Sequence, residues 1–107
     1  MMVLVLACLT MVEPGKEVYE KRCTGCHSAN EDRMGPRLRG VVGRKAGTIG
    51  GYPYSDALKA SGIIWDTAAI DKWLADPDAV VPGNDMSFRV STAGERVAII
   101  EYLRTLK

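Results

Sequence analysis

Apolar and polar positions divide the chain into one solid apolar stretch, a few helical stretches and long segments without any period. Residues 1–12, MMVLVLACLTMV, are apolar at every position but Thr10. Lys16 to Arg22 has helix-forming composition with Val18 and Tyr19 on one side, and Glu17 and Lys21 form an i,i+4 pair in the favourable order. SDALKASG predicts a short helix, with Ser55 as N-cap and Gly62 as the stop. DTAAIDKWLADP repeats the scheme: Asp66 or Thr67 caps, Ile70, Trp73 and Leu74 share a face, and Pro77 ends it. TAGERVAIIEYLRTLK predicts the strongest helix, with Val97, Ile100, Leu103 and Leu106 at helical spacing. No two segments alternate as paired strands would. The expectation is an all-α domain over residues 13–107, about four short helices, preceded by the apolar segment 1–12.

The segments between the helices narrow the picture further. Residues 28–54 and much of 77–92 read as loops. Unstructured loops longer than about 12–15 residues are uncommon in compact domains unless they are functional. The 107 residues include one Phe, two Trp and four Tyr, so few large side chains are available to fill an interior. A large rigid body enclosed by the loops would account for both features, and a haem would serve.

Charge adds little. Fourteen basic and 13 acidic residues leave a net charge of +1, without the clustered basic excess of a nucleic-acid-binding protein. The apolar segment is shorter than the roughly 20 residues that span a bilayer. It has the length of a secretory apolar region but no Lys or Arg before it. Cys8 after Val5-Leu6-Ala7 loosely resembles a bacterial lipoprotein cleavage site, although the Leu fits that pattern poorly. A leader remnant is the expectation, with an anchor or docking arm as the alternatives. Any membrane contact would run through this segment.

The chemistry concentrates in Cys23-Thr24-Gly25-Cys26-His27. A structural zinc site takes four Cys or His ligands. The chain offers Cys8, Cys23, Cys26 and its only histidine, and the adjacent Cys26 and His27 would strain a tetrahedral shell. A redox dithiol belongs at a helix N-terminus beside a βαβ unit, whereas here the helical stretch comes before the motif. C-x-x-C-H also reads as covalent attachment of a c-type haem, and this accounts for every residue. Two thiols add across the two vinyl groups, and the histidine that follows is set to reach the iron.

A second axial ligand must approach from the opposite face, and with one histidine a bis-histidine haem within this chain is excluded. Met34 is seven residues past His27, too close to reach that face easily, and reads as a loop or core methionine. Met1, Met2 and Met11 belong to the front segment. Met86, in VPGNDM, follows a Pro82-Gly83 turn that can present a thioether, and is the expected ligand.

From about Gly15 to Leu106 the sequence resembles class I cytochromes c, of the mitochondrial and bacterial periplasmic branch. The resemblance is carried by CTGCH, GPRLRGVVGRKAG, GYPYSDALKASGIIW, WLADPDAVVPGNDMSF and ERVAIIEYL. It implies helices wrapped round one covalently attached haem c and a single-electron carrier cycling between Fe(III) and Fe(II). Cys23 and Cys26 would form the thioethers, with His27 and Met86 as axial ligands. Pro36 would accept the imidazole N–H through its carbonyl. Arg44, Tyr54 and Trp65 would neutralise or hydrogen-bond the haem propionates, since buried carboxylates need partners. Gly15, Tyr19, Ile99 and Tyr102 would join the first and last helices.

The resemblance is imperfect near Met86. Trp73 stands where many relatives have a Tyr near the methionine sulfur, so a hydroxyl contact is expected to be lost. Asn84 replaces a usual Thr in the methionine loop, and Leu58 a common Asn; the cofactor-binding set is completed by Trp73 and Asn84. Phe88 is expected either near the exposed haem edge or in the core. Asp78, Asp85 and Glu17 alongside Arg22, Arg33 and Arg89 imply a docking face of mixed charge. Implied partners are redox proteins (a dehydrogenase, a cytochrome complex or a terminal oxidase) in an oxidising, extracytoplasmic compartment. Two other functions stand beside this one. A haem peroxidase or gas sensor would need Met86 to leave the iron, and no distal histidine or acid–base pair supports it. A dedicated electron-transfer subunit of one oxidoreductase would use the apolar segment to dock.

Overall fold

The structure, a computed structural model, describes residues 12–107, so all of the apolar segment but Val12, with Cys8, Met1, Met2 and Met11, lies outside the described residues. Five helices occur among them: α1 Val12–Arg22, α2 Asp56–Lys59, α3 Thr67–Ala75, α4 Pro77–Val80 and α5 Ala93–Leu103. One isolated antiparallel bridge, Lys45 to Ile64, is the nearest approach to a strand pair among them.

Five helices agree with the all-α fold of about four short ones, and α4 is the additional element. Pro77 does stop α3, because a proline cannot continue a helix interior. The same ring then opens α4 at its first position, where its missing N–H is no loss. Asp76 serves both ends: its backbone N–H caps α3 onto Lys72, while its side chain accepts from the Ala79 N–H. Ser55 and Asp66 cap α2 and α3 in the same way, accepting from Leu58 N and Ala69 N.

Helices α1 and α5 cross where Gly15 meets the carbonyl oxygen of Ala98, which leaves no room for a side chain. Beside that crossing the rings of Tyr19 and Tyr102 pack 4.9 Å apart at 47°. Ile99 is completely buried there, and burial of a side chain of this size contributes about 1.5–3 kcal/mol. The core continues through Ile100, Leu103 and Leu106 to Ile70 and Leu74 of α3 and to Trp65 and Val41 in the loops. Val97, expected on the inner face, is 48% exposed. The buried stripe of α5 runs through 99, 100 and 103, which leaves 97 at its edge.

The long loops are tied down by backbone bonds. Gly43 N donates to Trp65 O at 2.7 Å and Trp65 N to Arg44 O at 2.9 Å, which holds Trp65 against the core. Val90 N donates to Leu74 O at 2.8 Å, fastening the far end of the Met86 loop to α3.

Candidate functional site

Between these elements lies a cavity of about 250 Å³, walled mainly by apolar side chains. Nine of the ten cofactor-binding residues expected from the sequence line it: Cys23, Cys26, His27, Pro36, Arg44, Tyr54, Trp65, Trp73 and Met86. Asn84 does not, and its part in the site is a different one.

His27 is held from behind. Its Nδ1 lies 2.7 Å from the Pro36 carbonyl oxygen, which fixes Nδ1 as the protonated nitrogen and leaves the Nε2 lone pair free. Burial pushes the imidazole pKa down, the Pro36 bond pulls it up, and Arg44 pushes it down again; the net shift is downward. A neutral ring with a free Nε2 is the form that binds a metal. Next to it the Cys23 thiol is pushed up to about 11, first by burial and then by Cys26. The two thiols are unpaired.

Met86 is presented by a turn whose residues explain its shape. Asn84 N donates to Val81 O at 3.2 Å across Pro82 and Gly83, and Gly83 has φ +88°, so proline and glycine fill the two central positions that suit them. Asn84 then locks the turn: its Oδ1 accepts from Met86 N at 2.6 Å, and its Nδ2 donates to Val81 O at 2.8 Å and Asp78 Oδ1 at 3.2 Å. Asn84 therefore shapes the loop that presents Met86 and is not among the residues that line the cavity.

As expected from Trp73, no hydroxyl of the described residues meets the Met86 sulfur, but an indole N–H does: Trp73 Nε1 donates to Met86 Sδ at 3.2 Å. Trp73 packs edge-on against Trp65, with ring centroids 5.2 Å apart at 63°.

At the polar end, the Arg44 guanidinium donates to the carbonyl oxygens of Arg37 at 2.9 Å and Arg39 at 3.3 Å. Tyr54 accepts from Ile49 N at 3.2 Å, which leaves its own O–H to donate elsewhere. Phe88 and Met34 line the cavity and are 43% and 78% exposed, so both stand at its rim. Met34 Sδ rests 3.6 Å from Cys26 Sγ, on the wall of the attachment motif.

Sequence reasoning missed two residues here. Gly35 lies against the His27 ring, and its position before Pro36 was the only signal. Tyr52 donates from its hydroxyl to Met34 O at 2.5 Å and joins two loops beside the cavity, which no local pattern announced.

The donor set suits a haem c. The lining offers two thiols, a neutral imidazole and a thioether, is otherwise largely apolar, and includes a guanidinium and a phenol able to partner carboxylates. Comparison with known proteins agrees. The model of the cytochrome c family matches residues 12–107. The chain is 49% identical over 88 residues to cytochrome c2 iso-2 of Magnetospirillum molischianum, covering 79% of this chain and 91% of the relative. It is 41% identical over 98 residues to cytochrome c of Euglena viridis, covering 89% and 96%. Among solved structures, cytochrome cH from Methylobacterium extorquens matches with a TM-score of 0.83 at 44% identity, covering 88% of this chain and 97% of that one.

Proposed function

The chain belongs to the cytochrome c family, and on that footing we propose that His27 and Met86 are the axial ligands of its haem, with Cys23 and Cys26 as the thioether attachments. The protein is an electron carrier with one covalently attached haem c. When bound, the haem supplies a one-electron Fe(III)/Fe(II) couple, with thioether–imidazole ligation favouring the ferrous state.

The protein's own residues prepare that couple. Pro36 holds the imidazole in one tautomer, and the Pro82-Gly83 turn with Asn84 holds the thioether. Apolar walls exclude water, which raises the cost of the extra positive charge on the oxidised centre. Arg44, Tyr54 and Trp65 serve the propionates. His27, held by Pro36, and Met86, held by Asn84 and Trp73, would keep structural change between oxidation states small when the haem is bound.

The reading extends to what the protein does not do. It carries electrons without turning over a substrate, a reading supported by the hydrogen bonds of the Asn84 turn and of Trp73 that hold Met86 in place. It works outside the cytoplasm, where thiols meet haem-attachment machinery after export, and exchanges electrons with redox proteins that dock transiently at the rim marked by Met34 and Phe88. No helix among the described residues is long and apolar enough to cross a membrane. A dehydrogenase, a cytochrome complex or a terminal oxidase would be a suitable partner.

The observation that carries the ligand assignment is the meeting of His27, both cysteines and Met86 on one cavity. Visible spectra of the purified protein, ferric and dithionite-reduced, test it. A sharp ferrous c-type α-band, a weak far-red sulfur-to-iron band in the ferric form and no response to carbon monoxide are expected. Rapid carbon monoxide binding without the far-red band would remove Met86 from the iron and bring the enzyme or sensor reading forward.

A further inference from the structure

Met34 is the most exposed large apolar side chain among the described residues, and it stands where the attachment motif reaches the surface. Its Sδ lies 3.6 Å from Sγ of the exposed Cys26. The backbone around it is pinned. Met34 O accepts from the Tyr52 hydroxyl, Arg33 N donates to Gly35 O at 2.9 Å, and Gly35 N donates to Cys26 O at 2.8 Å. The sulfur is therefore held at the cavity rim by its own backbone and is not the free end of a loose loop.

The two methionine sulfurs of the described residues differ in what guards them. Met86 is half-buried, and its sulfur accepts from Trp73 Nε1 at 3.2 Å. Met34 faces water, and the Cys26 thiol beside it has no S–H left once the haem is attached. An accessible thioether with free lone pairs is the form that oxidants convert to a sulfoxide, a change that is reversible.

We propose that Met34 is a reversible oxidation site that slows electron exchange when hydrogen peroxide is present. The inference rests on partners docking at the rim marked by Met34 and Phe88. A lone pair of Met34 Sδ attacks one oxygen of the peroxide. The S–O bond forms as the O–O bond breaks, and the departing oxygen leaves as water with both protons. The sulfur is oxidised by two electrons and the peroxide reduced by two. A strong acceptor oxygen then replaces an apolar contact on a surface that a partner must desolvate.

Peroxide treatment of the ferric, haem-loaded protein tests this, with a second copy of the chain as the redox partner. Peptide mass mapping locates the added oxygen, and NMR line broadening in ferric–ferrous mixtures gives the self-exchange rate. One oxygen should appear on Met34 before any on Met86, with the visible spectrum and midpoint unchanged. Self-exchange should slow about three- to tenfold, the weight of one unpaired polar group. Reductases acting on both sulfoxide epimers should restore it, and Met34→Leu should show one rate before and after peroxide. Oxidation of Met86 first would overturn the proposal, as would a peroxide-induced loss that persists in Met34→Leu. Met34→Glu separates the site from the docking reading. If the charge slows self-exchange and the sulfoxide does not, the rim stands and the oxidation site falls; if neither moves the rate, both fall.

Discussion

Gly35 lies so close to His27 that a Cβ on residue 35 would stand 2.6 Å from the imidazole Nδ1 and overlap Cε1. The ring is thus clasped between the Gly35 backbone and the Pro36 carbonyl, and Gly35 N itself is tied to Cys26 O at 2.8 Å. Neither neighbour can withdraw without breaking a hydrogen bond. Gly35→Ala should push the imidazole off its bond to Pro36 and lower stability by about 1–3 kcal/mol, the usual penalty for overpacking a closed site. Denaturant unfolding of the haem-loaded variant gives the stability. The yield of covalently attached haem per polypeptide, by pyridine haemochrome, should fall with it. A variant with parental yield and midpoint would show that the clasp yields freely.

Tyr19 carries the one fully buried side-chain polar atom that lacks a hydrogen-bond partner among the described residues. An orphaned hydroxyl costs about 1–3 kcal/mol in lost hydration. Tyr19→Phe keeps the ring against Tyr102 and should therefore raise the denaturation midpoint. A second consequence appears at alkaline pH. Burial foremost lifts the phenol above its ordinary 10.0, with Tyr102 adding to it. Above pH 10 the unfolded chain releases this proton while the folded one retains it, so stability falls as pH rises toward the folded pKa. Below pH 10 the effect is absent. Tyr19→Phe should flatten that alkaline decline in a series of unfolding curves; an equal slope in both proteins would contradict it.

Much of this was legible in the sequence, for reasons that separate local signals from tertiary ones. C-x-x-C-H, the Pro-Gly turn before Met86 and the caps at Ser55 and Asp66 are each specified by neighbours within a few residues, and each has its expected local form. The start of α4 was equally local: an Asp N-cap with proline at the first helical position is a start signal, but Pro77 was read only as a stop. The inner face of α5 was not fixed by spacing alone, since 97 and 99 are both apolar and only the crossing with α1 decides which is buried. The Trp73–Met86 bond spans 13 residues and two elements. The missing hydroxyl was legible from the Trp itself, whereas the sulfur that the indole nitrogen reaches is set by the tertiary placement of the Met86 turn.

Surface charge bears on docking. Arg89, next to Phe88 in the chain, is paired with Asp76 at 3.1 Å and lies 4.0 Å from Asp78, and Arg22 is paired with Glu95 at 3.1 Å. Charges neutralised at such range project little field beyond the roughly 8 Å over which physiological salt screens. Association with a redox partner should then change by less than about tenfold between 20 and 200 mM salt, well short of a steeply steered encounter. Stopped-flow electron transfer with a physiological oxidant or reductant at graded ionic strength measures it. A steep fall in rate would mean that unpaired charges dominate the docking face.

Asn84 is the residue on which the Met86 turn depends most. Its side chain closes the turn from inside, accepting from Met86 N while donating to Val81 O and Asp78. Asn84→Ala leaves the Met86 N–H and the Val81 carbonyl without those partners, a loss of about 1–2 kcal/mol for two modest hydrogen bonds. Because Asn84 stands behind Met86 and does not itself line the cavity, the loss should fall on loop closure more than on the remaining cavity walls. In the ferric protein the far-red band should disappear at lower temperature or denaturant than in the parent, while the helices, followed by far-ultraviolet circular dichroism, melt nearly as before. Asn84→Asp keeps the acceptor for Met86 N but replaces the two donor contacts with repulsion from Asp78, so it should recover only part of the effect. If the band and the helices are lost together in both variants, the turn is no separate unit and Asn84 acts on the whole domain. If neither variant moves the band, the Pro82-Gly83 backbone alone holds the ligand.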